Sequence, residues 1–375
     1  DGDRPMNVQL STRPSPRAAG VSKLATADCD IHPTRNSSAD LAPYLSQRWQ
    51  QYYHDYGARL RQAYQGGPAY PKGQPFASRR DAWPPNGRPG SDLGFMRTQL
   101  LDANNTQLGI LNATGDNGQS FQNREFGAAV CHAMNEWLIE EWLSQEPRLK
   151  GSIVVPFEDT DAAVAELECY AGDGRFVQVL MLNRTAEPPG QKRYRKLYEA
   201  AAAAKLPLGV HAFGFGGWPV TGGGWPSFYI EDMVVHAQSC QSFLTSLLIE
   251  GVFARLPDFR LVLIESGFGW VPSLAWRLDK LWQRLRDETP HLTRAPSEYI
   301  RSQVWLTTQP MEEPQPREHL LDVIDWIGWD RLLFATDYPH WDYDDPSLAM
   351  PLPIDGAKRR RFFLENALEL YGGRN

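Results

Sequence analysis

The residues with the most chemical potential are carboxylates and imidazoles that end short apolar runs. The first run closes with Asp28-Cys29-Asp30-Ile31-His32-Pro33. Residues two apart in a strand share a side, so Asp30 and His32 point together. An adjacent carboxylate and imidazole make half of a site for a divalent ion. The alternative is that Asp30 caps the next turn and His32 bonds the backbone. A second run, Leu208-Gly209-Val210-His211-Ala212, ends on His211, which on its own also reads as a satisfied core histidine. A third, Leu333-Phe334-Ala335-Thr336-Asp337, delivers a carboxylate where burial is costly unless it is paired or bound to metal. An N-cap or a structural ion pair is the other reading of Asp337. Glu265-Ser266-Gly267 ends a fourth run in the same way. Each signal is weak alone, but four of them at strand ends describe one convergent site.

Such convergence needs a parallel sheet. Strand-like and helix-like segments alternate from about residue 25 onward, which predicts an α/β fold. Eight strands are expected at 25–31, 107–112, 151–156, 176–182, 207–212, 260–265, 302–307 and 331–336. Several are continuous apolar runs, as strands covered on both faces must be. Helical spacing predicts helices over 122–145, 159–171, 190–205, 231–256, 270–288 and 356–371. Eight strands with crossover helices predict a distorted (β/α)8 TIM barrel, with an open doubly wound sheet as the alternative. No Gly-x-Gly-x-x-Gly follows the first strand, which argues against a dinucleotide fold. Long loop insertions are expected after strand 1 (about 33–105) and strand 5 (214–230). Both would lie on the strand C-terminal face, where a barrel builds its site. Residues 1–24 read as an N-terminal arm, and 25–375 as the barrel domain.

Composition narrows the function. The 375 residues carry a net charge of −7. The single basic run, Lys358 to Arg361, reads as a solvated helix face, so no nucleic-acid partner is expected. No apolar stretch approaches the ~20 residues of a membrane span, and no apolar signal core opens the chain. The four cysteines, Cys29, Cys131, Cys169 and Cys240, form no Cys-x-x-Cys pair. That usage suits a reducing, cytoplasmic setting, with Cys29 a small buried residue.

The motifs at 28–33, Pro-Leu-Gly-Val-His at 207–211, Gly-Val-Phe-Ala-Arg-Leu-Pro-Asp-Phe-Arg-Leu-Val-Leu at 251–263 and Arg-Leu-Leu-Phe-Ala-Thr-Asp-Tyr-Pro-His at 331–340 carry a resemblance. Over roughly residues 25–372 the chain resembles the amidohydrolase superfamily, in the branch that contains aminocarboxymuconate-semialdehyde decarboxylase and related aromatic-acid decarboxylases. The resemblance implies a distorted barrel with one divalent ion, Zn or a similar metal (Mn, Fe or Co). It places the ligands on Asp30, His32, His211 and Asp337, and it implies a homodimer. Two departures stand out. Asp30 occupies a position that is often histidine, and Glu265 replaces a sixth-strand histidine that assists decarboxylation.

Two activities follow for a small-molecule substrate. The first expectation, tipped by the missing histidine, is a metal-dependent hydrolase of an amide, ester or lactone of an aromatic or apolar acid. The ion would lower the pKa of bound water. Asp337 or Glu265 would take the proton, and His236 or His340 would help hold the developing oxyanion. Trp218, Trp225, Trp270 and Trp341, in or near the strand-end loops, suit a flat ligand. The alternative is a non-oxidative decarboxylase, in which Asp337 protonates the ring carbon and Arg184 or Arg277 anchors the substrate carboxylate.

Overall fold

The computed structural model describes residues 23–59, 75–212, 219–350 and 352–372. The expected arm up to residue 22, part of the first insertion and Trp218 lie outside the described residues.

Eight parallel strands run in sequence order: β1 (Thr26–Ile31), β2 (Thr106–Leu111), β3 (Leu149–Val154), β4 (Phe176–Leu182), β5 (Leu208–His211), β6 (Leu261–Ile264), β7 (Val304–Thr307) and β8 (Leu332–Leu333). The bounds of the first seven fall within two residues of the runs that predict them, and β8 ends three residues short of its run, 331–336. The seam between β8 and β1 is closed by backbone bonds from Cys29 N to Phe334 O (2.9 Å), Asp337 N to Asp30 O (3.1 Å) and His32 N to Tyr338 O (2.8 Å). The fold is therefore a TIM barrel, not an open sheet.

Strand alternation sorts the apolar side chains into two cores. Leu261 and Leu263 face the helices, in the large outer cluster. Val262 and Ile264 join Ala27, Cys29, Leu108, Ile110, Val177 and Leu333 in a smaller cluster, which Ala367, Leu370 and Tyr371 of the last helical segment close from the strand N-terminal end. The outer helices begin where short polar side chains satisfy free N–H groups. Asn123 accepts from Phe126 N at 3.1 Å, and Asp159 from Ala162 N at 3.2 Å.

The helix expected over 231–256 is instead Tyr229–Ile249 followed by a short turn, Val252–Arg255. Gly251 breaks it at φ 72°, and a Cβ there would meet the His291 ring at 2.4 Å. Two helices that the periodicity did not predict, Pro296–Gln303 and His319–Ile327, flank β7. The described part of the first insertion carries the helix Gln47–Tyr56 and lays residues 77–79 along the loop after β8. There Arg79 N bonds Pro339 O (2.9 Å) and Trp341 N bonds Ala77 O (2.7 Å). No described helix is long and apolar enough to cross a membrane, and the four cysteines are free thiols.

Candidate metal centre

The barrel mouth gathers Asp30 and His32 from β1, His211 from β5, Glu265 from β6 and Asp337 from the end of β8. Each is no more than 6% exposed. His32 Nε2 lies 3.2 Å from Asp30 Oδ1 and 2.9 Å from Asp337 Oδ1. His211 Nε2 lies 3.4 Å from Asp30 Oδ2 and 3.2 Å from Glu265 Oε2. His340 Nδ1 is 2.6 Å from Asp337 Oδ1. Glu265 and Asp337 both take left-handed backbone, φ 56° and 60°, which costs a non-glycine residue of order 1–3 kcal/mol. Such strain persists only where the surroundings enforce it, here at the two strand ends that aim carboxylates at one point.

The imidazole tautomers are fixed from behind. His32 Nδ1 donates to the Asn112 carbonyl at 3.0 Å, and His211 Nδ1 donates to the Ala212 carbonyl. Both Nε2 atoms therefore face carboxylate oxygens, and against the opposing effect of burial Asp30 and Asp337 raise His32 well above its usual range, so in the metal-free protein a proton on its Nε2 stands where a cation would bind. Asp30 Oδ2, His32 Nε2, His211 Nε2, Glu265 Oε2 and Asp337 Oδ2 are buried without a hydrogen-bond partner. Orphaned buried acceptors are costly, and a cation among them removes the cost. Donors bound ~2.1 Å from one ion stand ~3.0–3.4 Å apart, which matches the spacings here. Asp30, His32, His211 and Glu265 offer ligand atoms within 4.8 Å of one another, and His32, Asp337 and His340 form an overlapping group. The residues fit one divalent ion.

Electrostatics follow from this crowding. Burial, then the charges of Asp337 and Asp30, push the Glu265 carboxyl well above its usual range. Burial acts the same way on Asp30 and Asp337, but the imidazoles win. His32 and His211 hold Asp30 low, and His340 and His32 hold Asp337 low. His236, in the helix Tyr229–Ile249, is lowered to about 3 by burial, with Arg184 and His211 adding repulsion, and stays neutral near pH 7.

The remaining candidates separate. Arg184, beyond β4, acts on both His236 and Asp232 and lines a cavity of about 340 Å³ with Asn183, Ser239 and Ser242. Trp270 is half-buried after β6, its indole N–H donating to Ser266 O at 2.8 Å. Arg277 is a correction. The helix Val271–Arg284 buries Val271, Ala275 and Leu278 against the barrel, so helical phase turns Arg277 outward to solvent, away from the cluster. Sequence reasoning missed Asn112, Ser152 and Gln178, which lie buried beneath Asp30. The available signal was Gln178 in the middle of the apolar run Phe176–Leu182.

A single-ion barrel mouth of this kind defines a class of enzyme, and comparison places the chain within it. The chain belongs to the amidohydrolase family, in its second branch, the family model matching residues 27–373. Among curated proteins, gamma-resorcylate decarboxylase of Rhizobium sp. is 26% identical over 274 residues, spanning 68% of this chain and 80% of that protein. The Rhodococcus jostii enzyme of the same name is 26% identical over 269 residues, 66% of this chain and 78% of its own. A solved 5-carboxyvanillate decarboxylase of Novosphingobium aromaticivorans, complexed with manganese and 4-hydroxy-3-methoxy-5-nitrobenzoic acid, superposes with a TM-score of 0.68. It is 17% identical, over 92% of this chain and 96% of that one. The expectation of a hydrolase is thereby corrected, because these relatives are carbon–carbon lyases. Loss of the sixth-strand histidine was weak ground for hydrolysis, since Glu265 brings an ionisable group to the same strand end.

Proposed function

We propose that the chain is a metal-dependent, non-oxidative decarboxylase of an aromatic carboxylic acid bearing a hydroxyl beside the carboxyl. The observation that carries this reading is that the curated relatives, matched across two thirds of the chain, are decarboxylases of one hydroxylated benzoate. The buried cluster at the barrel mouth supports it independently. Asp30, His32, His211 and Asp337 would hold the ion, with Glu265 completing the set. When bound, a divalent ion supplies positive charge to the substrate's carboxylate and neighbouring oxygen. Three carboxylates among the donors favour a hard ion, and with manganese in the Novosphingobium relative this supports Mn2+ ahead of Zn2+.

The chain's own residues would move the proton. Asp337 would take a proton from the quarter-exposed His340 bonded to it and pass it to the ring carbon that bears the carboxylate. The ring carbon–carboxyl bond then breaks, its electron pair stays on the ring, and CO2 leaves. His340 connects Asp337 to solvent and restores the proton. Arg184 and Trp270, on loops facing the mouth, would orient the flat acid. The free thiols support a cytoplasmic enzyme. We read it as a homodimer, for which light scattering giving a monomer mass would be the contrary result.

The test is to load the protein with Mn2+ and incubate it with 2,6-dihydroxybenzoate, 5-carboxyvanillate and related hydroxybenzoates in D2O. The expected result is metal-dependent CO2 release, with one deuterium on the vacated ring position. Intact carboxyl groups across the panel, with metal bound, would refute the reading.

A further inference from the structure

A chain of buried side chains runs through the barrel from its strand N-terminal end to Asp30. The Tyr371 hydroxyl donates to Gln178 Oε1 at 3.0 Å. Gln178 Nε2 donates to Ser152 Oγ (2.7 Å) and Asn112 Oδ1 (3.1 Å). Ser152 Oγ donates to Asn112 Oδ1 at 2.7 Å. Asn112 Nδ2 then donates to Asp30 Oδ1 at 2.8 Å and to Cys29 O at 3.3 Å. Asn112, Ser152 and Gln178 are 0% exposed. The amide orientations are not arbitrary. A carboxylate only accepts, so Nδ2 must face Asp30, Oδ1 must then take the two donors behind it, and every bond points the same way. Aligned donors polarise one another. The space is also kept for this purpose, since a Cβ on Gly209 would meet the Gln178 amide at 2.7 Å.

We infer that Asn112, held by Ser152, Gln178 and Tyr371, is a positioning residue for the metal centre. It bonds Oδ1 of Asp30, which also faces His32 Nε2 at 3.2 Å, and leaves Oδ2 facing His211 Nε2 at 3.4 Å. The inference rests on the metal reading above. Outer partners of metal ligands typically contribute ~10–100-fold in affinity. Losing Asn112 removes a direct bond to the carboxylate, whereas losing the Ser152 hydroxyl loosens only the support behind it.

The experiment measures Mn2+ affinity by calorimetry on the metal-stripped full chain, together with the visible spectrum of the Co2+ form, which reports ligand geometry. Wild type is compared with Asn112→Ala, Ser152→Ala and Ser152→Thr. The expected result is a loss of ~10–100-fold for Asn112→Ala and a smaller loss for Ser152→Ala, both with altered Co2+ spectra, and recovery in Ser152→Thr, which restores the hydroxyl. Melting in EDTA checks folding. If Asn112→Ala does not fold, the Ser152 pair decides the matter. Tight Mn2+ binding by wild type with unchanged affinity and Co2+ spectrum in the folded variants would overturn the positioning role alone. Absence of Mn2+ and Co2+ binding by folded wild type would overturn the metal centre, and the positioning role with it.

Discussion

Glu265→Gln should make the metal-free protein more stable and the metal-bound protein weaker. Ligand atoms of Glu265 and Asp30 lie within 4.8 Å of each other in a buried site. Two ionised carboxylates at that distance repel by about 3 kcal/mol at an effective dielectric of ~20. The chain avoids part of this by keeping Glu265 protonated, its pKa being pushed well above the usual value by burial and by the Asp337 and Asp30 charges. A carboxyl with a raised folded-state pKa contributes stability that is complete below its unfolded value, near 4.5, and is lost as pH rises through the folded value. Metal-free wild type should therefore lose stability between pH 5 and pH 8, and the amide variant should not. Gln can donate an amide N–H to His211 Nε2 without the charge, so the expected gain at pH 8 is about 2 kcal/mol, or about 4 °C in melting temperature. The same change removes one anionic donor and should weaken Mn2+ binding by ~10-fold or more. Scanning fluorimetry in EDTA at both pH values, followed by Mn2+ calorimetry, reads both signs. A variant that melts below wild type at pH 8, or a parallel pH response in the two proteins, would refute the argument.

Other outcomes are expected. Asp337→Asn should abolish decarboxylation by ~10²–10⁴-fold, the usual contribution of a positioned proton donor, and an unimpaired initial rate in a CO2 assay would contradict its role. His211→Ala should lower metal content per chain, read by elemental analysis. Asn135→Ala should cost roughly 3 kcal/mol in urea denaturation, because its side chain joins the helix Arg124–Leu138 to both backbone groups of Val154 and to Glu166 and leaves those groups unpaired in the core. Glu146 is held at about 2, first by Arg148 and also by Arg97 against the opposing effect of burial. Its pKa is depressed, so the stability it contributes is present above pH 4.5 and fades as pH falls toward 2. Glu146→Gln should flatten that acid limb, and an unchanged acid unfolding curve would count against the pairing.

The strands were legible because buried parallel strands are written as apolar runs, and Asp30 and His32 because a two-residue period puts them on one side. Glu265 shows where that logic stops. Alternation assigns it to the outer face with Leu261 and Leu263, and only its left-handed φ of 56° turns it toward His211. No local pattern announces such a turn. Arg277 was misplaced for a related reason, since helical phase is set by which side chains the barrel buries, and Val271, Ala275 and Leu278 settle it. Asn112 and Ser152 were missed because an amide and a hydroxyl in strands look like tolerated polar residues until the barrel brings them beneath Asp30. The reaction class was legible only as the alternative, since the motifs pointed to a branch with aromatic-acid decarboxylases while the same ion and carboxylates also serve hydrolysis, and Glu265 in place of a histidine tipped the expectation to hydrolysis.

The seam between β8 and β1 has a consequence for biosynthesis. The first strand leaves the ribosome before the other seven, yet the groups that pair with it on one side, Phe334, Asp337 and Tyr338, are made only after β8. Until then β1 has an unpaired strand edge, the kind of surface that templates association with other chains. The apolar plug of Leu370 and Tyr371 arrives later still. Vectorial synthesis thus leaves this barrel open until the segment after β8 has been made, so slowed elongation should raise its dependence on chaperones, while refolding of the finished barrel chain, with both seam strands present from the start, should depend on them less.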